Sequence, residues 1–375
     1  MNRDRLCGAM KMICVGNIVR VLRSVLVLCF VCVPVSASAE TAFDATKSRG
    51  VNSPSITTLF AGNAGELIAF DGGRNSLVFY DLHGSTALHE RATVTVQGAV
   101  SKVSVDREGY LVATGAGIND RNAPIRIYSI SSDAKTATLL FEKQSPRAEV
   151  TGLKRCGGDI WIDFFNSKYF NSIGYLVSKD DGTYDFKEQS SIRMGSSFDC
   201  LGDMKVVGRS YGDIQGADGD VLLIRNGAQT LLPSYRGVRG VRILGENRIV
   251  IGDGWHSNYG KIAQGRISLL SRETATARFH LEIIAKSDSN YNFTEFTPIS
   301  YKGGEYLVVL GSKEIGLVSL GDSEGSKQAS FTPLYTQKDS KTIMDVVVLK
   351  ADNKSLTLAV LDGTLTVHTV SLPTA

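Results

Sequence analysis

The chain is short of the residues that usually carry chemistry. It has five histidines, His83, His89, His256, His280 and His368, scattered so widely that they argue against the His-rich centres of copper or haem proteins. No H-x-x-x-H, C-x-x-C-H or P-loop spacing follows residue 39, which leaves no sequence support for a metal, a haem or a bound nucleotide. A surplus of one charge is missing too. The first 39 residues carry five of the 41 basic side chains and one of the 38 acidic ones, so 36 face 37 in the remainder. That balance gives no support to nucleic-acid binding. Long apolar runs are also absent: the longest, Val25 to Val33, falls below the ~18–20 residues a membrane helix needs.

What that short run does resemble is an export signal. Arg3, Arg5, Lys11, Arg20 and Arg23 precede it, Pro34 ends it, and Ala37-Ser38-Ala39 supplies a small-residue cleavage site. The segment before the run is long for such a signal, so Met10 or Met12 is a competing start. Residues 1–39 are therefore expected to be a signal peptide and 40–375 the folded part, exported to the periplasm or secreted. An uncleaved N-terminal membrane anchor is the alternative. No integral membrane segment is expected after cleavage.

Four of the six cysteines, Cys7, Cys14, Cys29 and Cys32, fall in that leader. The remaining two, Cys156 and Cys200, stand 44 residues apart, just before equivalent turns. In an oxidising compartment they are expected to form a disulfide, with two free buried thiols as the competing reading.

The equivalence of those turns reflects a repeat. A turn of Gly, Asp, Asn or Glu followed by an apolar strand returns seven times, marked by Leu67, Leu111, Ile160, Met204, Arg248, Leu307 and Leu358. The intervals are 44, 49, 44, 44, 59 and 51 residues. Within the second repeat, Ser101–Val105, Tyr110–Thr114, Ile125–Ile130 and Thr138–Phe141 read as four strands. No stretch after the leader shows an amphipathic helix of three turns. Strand repeats of this period predict an all-β chain: a single seven-bladed β-propeller of four-stranded antiparallel blades. The last repeat shows three strands only, so residues near 41–47 are expected to add the fourth and close the ring. A disordered N-terminal tail is the alternative.

The loops after the second strand read as long in blades two to five, over 115–124, 165–172, 209–219 and 252–265, and short in blades six and seven. Loops elaborated on one face are where scaffolds of this kind bind partners, although surface insertions are also tolerated neutrally. Within the last of them, Asp253, Trp255, His256 and Tyr259 lie in a Gly-rich stretch suited to ligand contact, or to plugging the loop against the next blade. Before it, Arg236 and Arg239 fall near an inner-strand entrance, aimed at the channel mouth, with Arg147, Arg193 and Lys341 in comparable connections. Converging cations would favour an anion there. Glu149, Asp199, Glu295 and Asp345 sit in equivalent stretches and are expected to neutralise them. Gly216–Asp220 only faintly resembles a calcium loop and lacks its spaced oxygen ligands.

At the level of architecture the repeat resembles the seven-bladed β-propeller superfamily of exported proteins, over roughly Thr57 to Leu372. The Trp-Asp blade ending of WD40 repeats is absent, since neither Trp161 nor Trp255 is followed by Asp. With no catalytic residue, cofactor or metal site assigned, the sequence favours a non-enzymatic module. It would bind a protein or polymer partner in the cell envelope through the long-loop face. The rival is a lyase or hydrolase with its site at the channel mouth near Arg239 and the 252–260 loop.

Overall fold

The computed structural model describes residues 46–47, 55–63, 65–84, 87–106, 108–115, 123–144, 149–165, 170–193, 195–211, 218–234, 237–253, 265–287, 293–320, 331–337 and 342–372. The chain divides into two units; Met1–Ala42 lies outside the described residues, and Phe43–Ala375 holds every strand. Its 28 strands form seven four-stranded sheets, and the described residues contain no helix. Six sheets take four consecutive strands, each antiparallel to the next. The seventh joins Asp345–Ala351, Ser355–Leu361 and Leu365–Ser371 to the two-residue strand Thr46–Lys47, paired through Thr46↔Thr369 and Lys47↔His368.

The seven markers all fall in the second strand of a blade. These strands are mostly apolar through their middles because each lies between two neighbouring sheets and buries both faces. In Glu66–Asp71 every residue is buried. Leu67 and Ala69 pack toward Ala359, Leu361 and Val367 of blade seven, whereas Ile68 and Phe70 pack toward Tyr110, Val112 and Ile130 of blade two. The two-residue period of a strand thus feeds two cores at once, each buried side chain contributing about 1.5–3 kcal/mol.

Polar knots tie the blades at one end. Glu66 accepts hydrogen bonds from the Tyr110 hydroxyl (2.7 Å), the Asn63 amide (3.0 Å) and the Arg91 guanidinium, joining blades one and two. Burial, and then the hydrogen bond to Glu66, push the Tyr110 pKa up to about 12. Arg155 bridges to Asp106 (2.8 Å) and Glu108 (2.9 Å), and Arg248 to Glu305 (2.6 Å). The covalent tie is the disulfide Cys156–Cys200, with Cα atoms 6.2 Å apart, between blades three and four. Gly109 opens its strand at φ +137°, where a Cβ would overlap the Ile130 carbonyl oxygen; only glycine fits.

The inner strands are Ile56–Ala61, Ala99–Asp106, Glu149–Cys156, Gly195–Leu201, Val238–Gly245, Phe293–Tyr301 and Asp345–Ala351. Each touches the inner strand of the next blade, and the last touches the first. They form a closed ring around a central channel.

Candidate functional site

Six of the seven inner strands break register near their entrance. One residue stands unpaired between its neighbours in each: Thr57, Ser101, Thr151, the residue at 196, Arg239 and Thr294. A bulge of this kind turns a side chain out of the pleat. Two of the hydroxyls turn back on their own blade: Ser101 donates to the Ala113 carbonyl (3.3 Å) and Thr151 to the Asp163 carboxylate (2.8 Å). Arg239 occupies the equivalent place with a longer, charged side chain. It is open to water, yet enough protein surrounds it to push the guanidinium pKa below its ordinary value by desolvation. A side chain at a channel mouth meets both conditions.

Three residues further along each strand lies a second level: Phe60, Ser104, Lys154, Asp199, Arg242 and Thr297. Three charges from blades three, four and five converge here. Asp199 is buried and accepts from the Lys154 ammonium (2.5 Å), the Cys200 amide (2.9 Å) and the Ile243 amide of the next blade (2.8 Å). Arg242 brings its Nε to 3.9 Å from the same carboxylate, too far for a hydrogen bond, and that buried Nε has no acceptor among the described residues.

The arc of blades six and seven is acidic. Asp345 is buried, and its two oxygens accept from the amides of Leu59 (2.8 Å) and Val346 (3.0 Å), so it also joins blade seven to blade one. Its pKa is pushed up to about 8, first by desolvation and then by the Glu295 carboxylate; the two amides and the Lys102 ammonium oppose the shift without overcoming it. At neutral pH Asp345 is therefore largely protonated.

Of the residues the sequence singles out, Arg239 is the second residue of the blade-five inner strand, at its bulge. Asp253 is fully buried at the end of its strand, across from Val238 and Arg266. Arg236, Trp255, His256 and Tyr259 lie outside the described residues, as do Arg147 and Lys341. Arg193 ends the outer strand of blade three, paired with Phe170, rather than an inner strand. Asp199 does neutralise a cation, Lys154. Lys102, Lys154 and Arg242 were missed: Lys154 and Arg242 share a level that shows only when the inner strands are aligned on their bulges, whereas Lys102 directly follows the bulge of blade two. One motif also escapes the sequence reading. Gly321-Asp322-Ser323-Glu324-Gly325 spells G-x-S-x-G, but the motif needs a strand–turn–helix setting, the described residues contain no helix, and this stretch lies outside them.

The loop pattern needs one correction. In blade three, pairing continues to Phe165↔Asn171 and the third strand begins at Phe170. Only 166–169 remain between the strands, no more than 72–75 of blade one. Elaboration is confined to blades two, four and five, whose loops 116–124, 212–217 and 254–264 lie largely outside the described residues.

The fold so defined is a seven-bladed β-propeller. Among solved structures the chain is similar to U3-55K, at 13% identity and a TM-score of 0.54, with 88% of this chain and 98% of that one covered. It is equally similar to the WD40 repeats of RRP9, at 13% identity and 0.54, covering 87% and 97%. No protein-family model matches the chain, and no curated protein matches it in sequence. At this identity the likeness is one of fold.

Proposed function

We propose that the chain is an exported, non-enzymatic propeller that binds a protein or polymer partner of the cell envelope. The contact face is the one from which the long loops of blades two, four and five leave. The observation that carries this reading is the asymmetry of the connections. Second strands end at Gly115, Tyr211 and Asp253 and third strands resume at Ile125, Asp218 and Gly265, whereas blade six turns through Ser312 and Lys313 alone. All of them leave from the end of the ring that carries Arg239, so loops and channel mouth share one face. Loops on a rigid scaffold are the usual bearers of recognition. The leader pattern and the Cys156–Cys200 bridge support an oxidising, exported setting.

The test is capture from the envelope fraction with the wild-type chain and with a variant whose residues 254–264 are replaced by a short Gly-Ser link. A partner retained by wild type and lost by the loop variant, with unchanged melting, is expected. Identical capture by both proteins would remove the loop face from the reading.

A further inference from the structure

We propose that the channel wall of blades three to five is a binding site for a multiply charged oxoanion, held between Arg239 at the mouth and Arg242 with Lys154 one level deeper. The first ground is an imbalance of charge. At the deeper level two cations, Lys154 and Arg242, face one carboxylate, Asp199. That carboxylate is already engaged by an ammonium and two backbone amides. It has little left to offer Arg242, whose side chain keeps 41% of its surface open while its Nε is buried without an acceptor among the described residues. A buried donor left unpaired costs about 1–3 kcal/mol, which a ligand oxygen reaching the Arg242 guanidinium would recover.

The second ground is independent of the first. Arg239 has no ion pair among the described residues, although it stands where protein crowds it. It lies three residues before Arg242 on one strand. At ~3.3 Å per residue, less the contraction of a bulge, the two guanidinium stems leave the backbone under ~10 Å apart. One extended anion can span them, each planar fork donating to two of its oxygens. The acids of blades six and seven do not cancel this arrangement. Asp345 is largely protonated at neutral pH, and Glu295, on the blade next to Arg239, bears on Asp345, whereas the Arg239 shift comes from desolvation alone. The ligand class is thus a phosphoryl or polycarboxylate group.

The probes are inorganic phosphate and citrate, titrated calorimetrically into the oxidised wild-type chain and into R239Q, R242Q and K135Q. Lys135 lies on the outer part of blade two, paired with Asp133, and reports on net charge alone. Saturable binding to wild type, weakened about tenfold or more in R239Q and R242Q and unchanged in K135Q, is expected. Tighter phosphate binding would assign a phosphoryl ligand, and tighter citrate binding a polycarboxylate. R239Q removes a side chain with no ion pair among the described residues, so it keeps the test valid should R242Q fold poorly. Absence of saturable binding to wild type, affinities unchanged in both arginine variants, or an equal loss in K135Q would overturn the proposal.

Discussion

Removing the disulfide should cost several kcal/mol, and the structure says where the loss is felt. Cys156 ends the inner strand of blade three and Cys200, 44 residues on, lies near the end of the next inner strand. The 6.2 Å Cα separation falls within the range a disulfide spans. Closing a loop of that length restricts the unfolded chain by about 4 kcal/mol on the chain-entropy account. A domain of some 330 residues unfolds with an entropy of roughly 0.7 kcal/mol/K, so the shift in melting temperature should be about 6 °C. The double variant Cys156→Ala/Cys200→Ala avoids a stray thiol and leaves only small apolar gaps. It should melt about 6 °C below oxidised wild type, and reductant should lower wild type toward it while leaving the variant unmoved. Trp161 packs in the same buried cluster as both cysteines, with the Lys205 ammonium 4.4 Å from its ring centre. Its emission should therefore rise on reduction, as a neighbouring disulfide quenches indole. Equal melting of the variant and oxidised wild type, or two maleimide-reactive thiols in the folded protein, would refute the reasoning.

Three further outcomes follow from named contacts. Tyr110→Phe removes one donor from buried Glu66 and should destabilise by about 2 kcal/mol, read as a shift in the urea midpoint at constant slope; no shift would mean the Arg91 and Asn63 contacts suffice. Asp345 holds its proton up to about pH 8 in the fold but only to about 4 when unfolded, so the folded chain binds more protons between those values and wild-type stability should fall as pH rises through them. Asp345→Asn should flatten that decline, losing about 1 kcal/mol at pH 5 because its amide cannot accept from both Leu59 and Val346, yet gaining on wild type at pH 9; parallel pH profiles from denaturation at pH 5, 7 and 9 would refute it. Gly109→Ala forces a Cβ against the Ile130 carbonyl at positive φ and should lower the melting temperature by several degrees, whereas a neutral result would show that the blade-two hairpin relaxes.

Much of the fold was legible because a second strand buried on both faces is apolar over most of its middle. Leu67-Ile68-Ala69-Phe70 and Leu356-Thr357-Leu358-Ala359 announce themselves as short unbroken runs, and the turns before them carry Gly, Asp or Asn. The inner strands were harder. They carry Lys154, Asp199 and Arg242 among their apolar residues, since one edge faces the channel, and a bulge shifts each register by one. Alternation read without the bulge assigns those charges to the wrong side. Arg239 was singled out only because it falls near the entrance of an inner strand, and the bulge there was not legible. Loop length misled in blade three, where Phe165 and Phe170 extend the pairing into residues that read as connection.

The bulge explains why a repeat can be regular in its core and individual in its channel. Where the strand pairs, a charge must find a partner to offset a desolvation cost of several kcal/mol, as Lys154 and Asp199 do in each other. The residue freed by the bulge escapes that constraint, which is why Thr57, Ser101, Thr151 and Thr294 can share a level with an arginine. The disulfide lies farther along the strands that bring Lys154 and Asp199 together, and Cys200 lends its own amide to that carboxylate. Bridge and charge cluster are therefore mechanically coupled. Reduction should loosen the blade three–four junction first and disturb the Lys154–Asp199–Arg242 level before it reaches the acidic arc of blades six and seven. Hydrogen exchange of the Cys200 and Ile243 amides, compared with the Val346 amide before and after reductant, reads that order directly; uniform loss of protection at all three would mean the ring yields as one body.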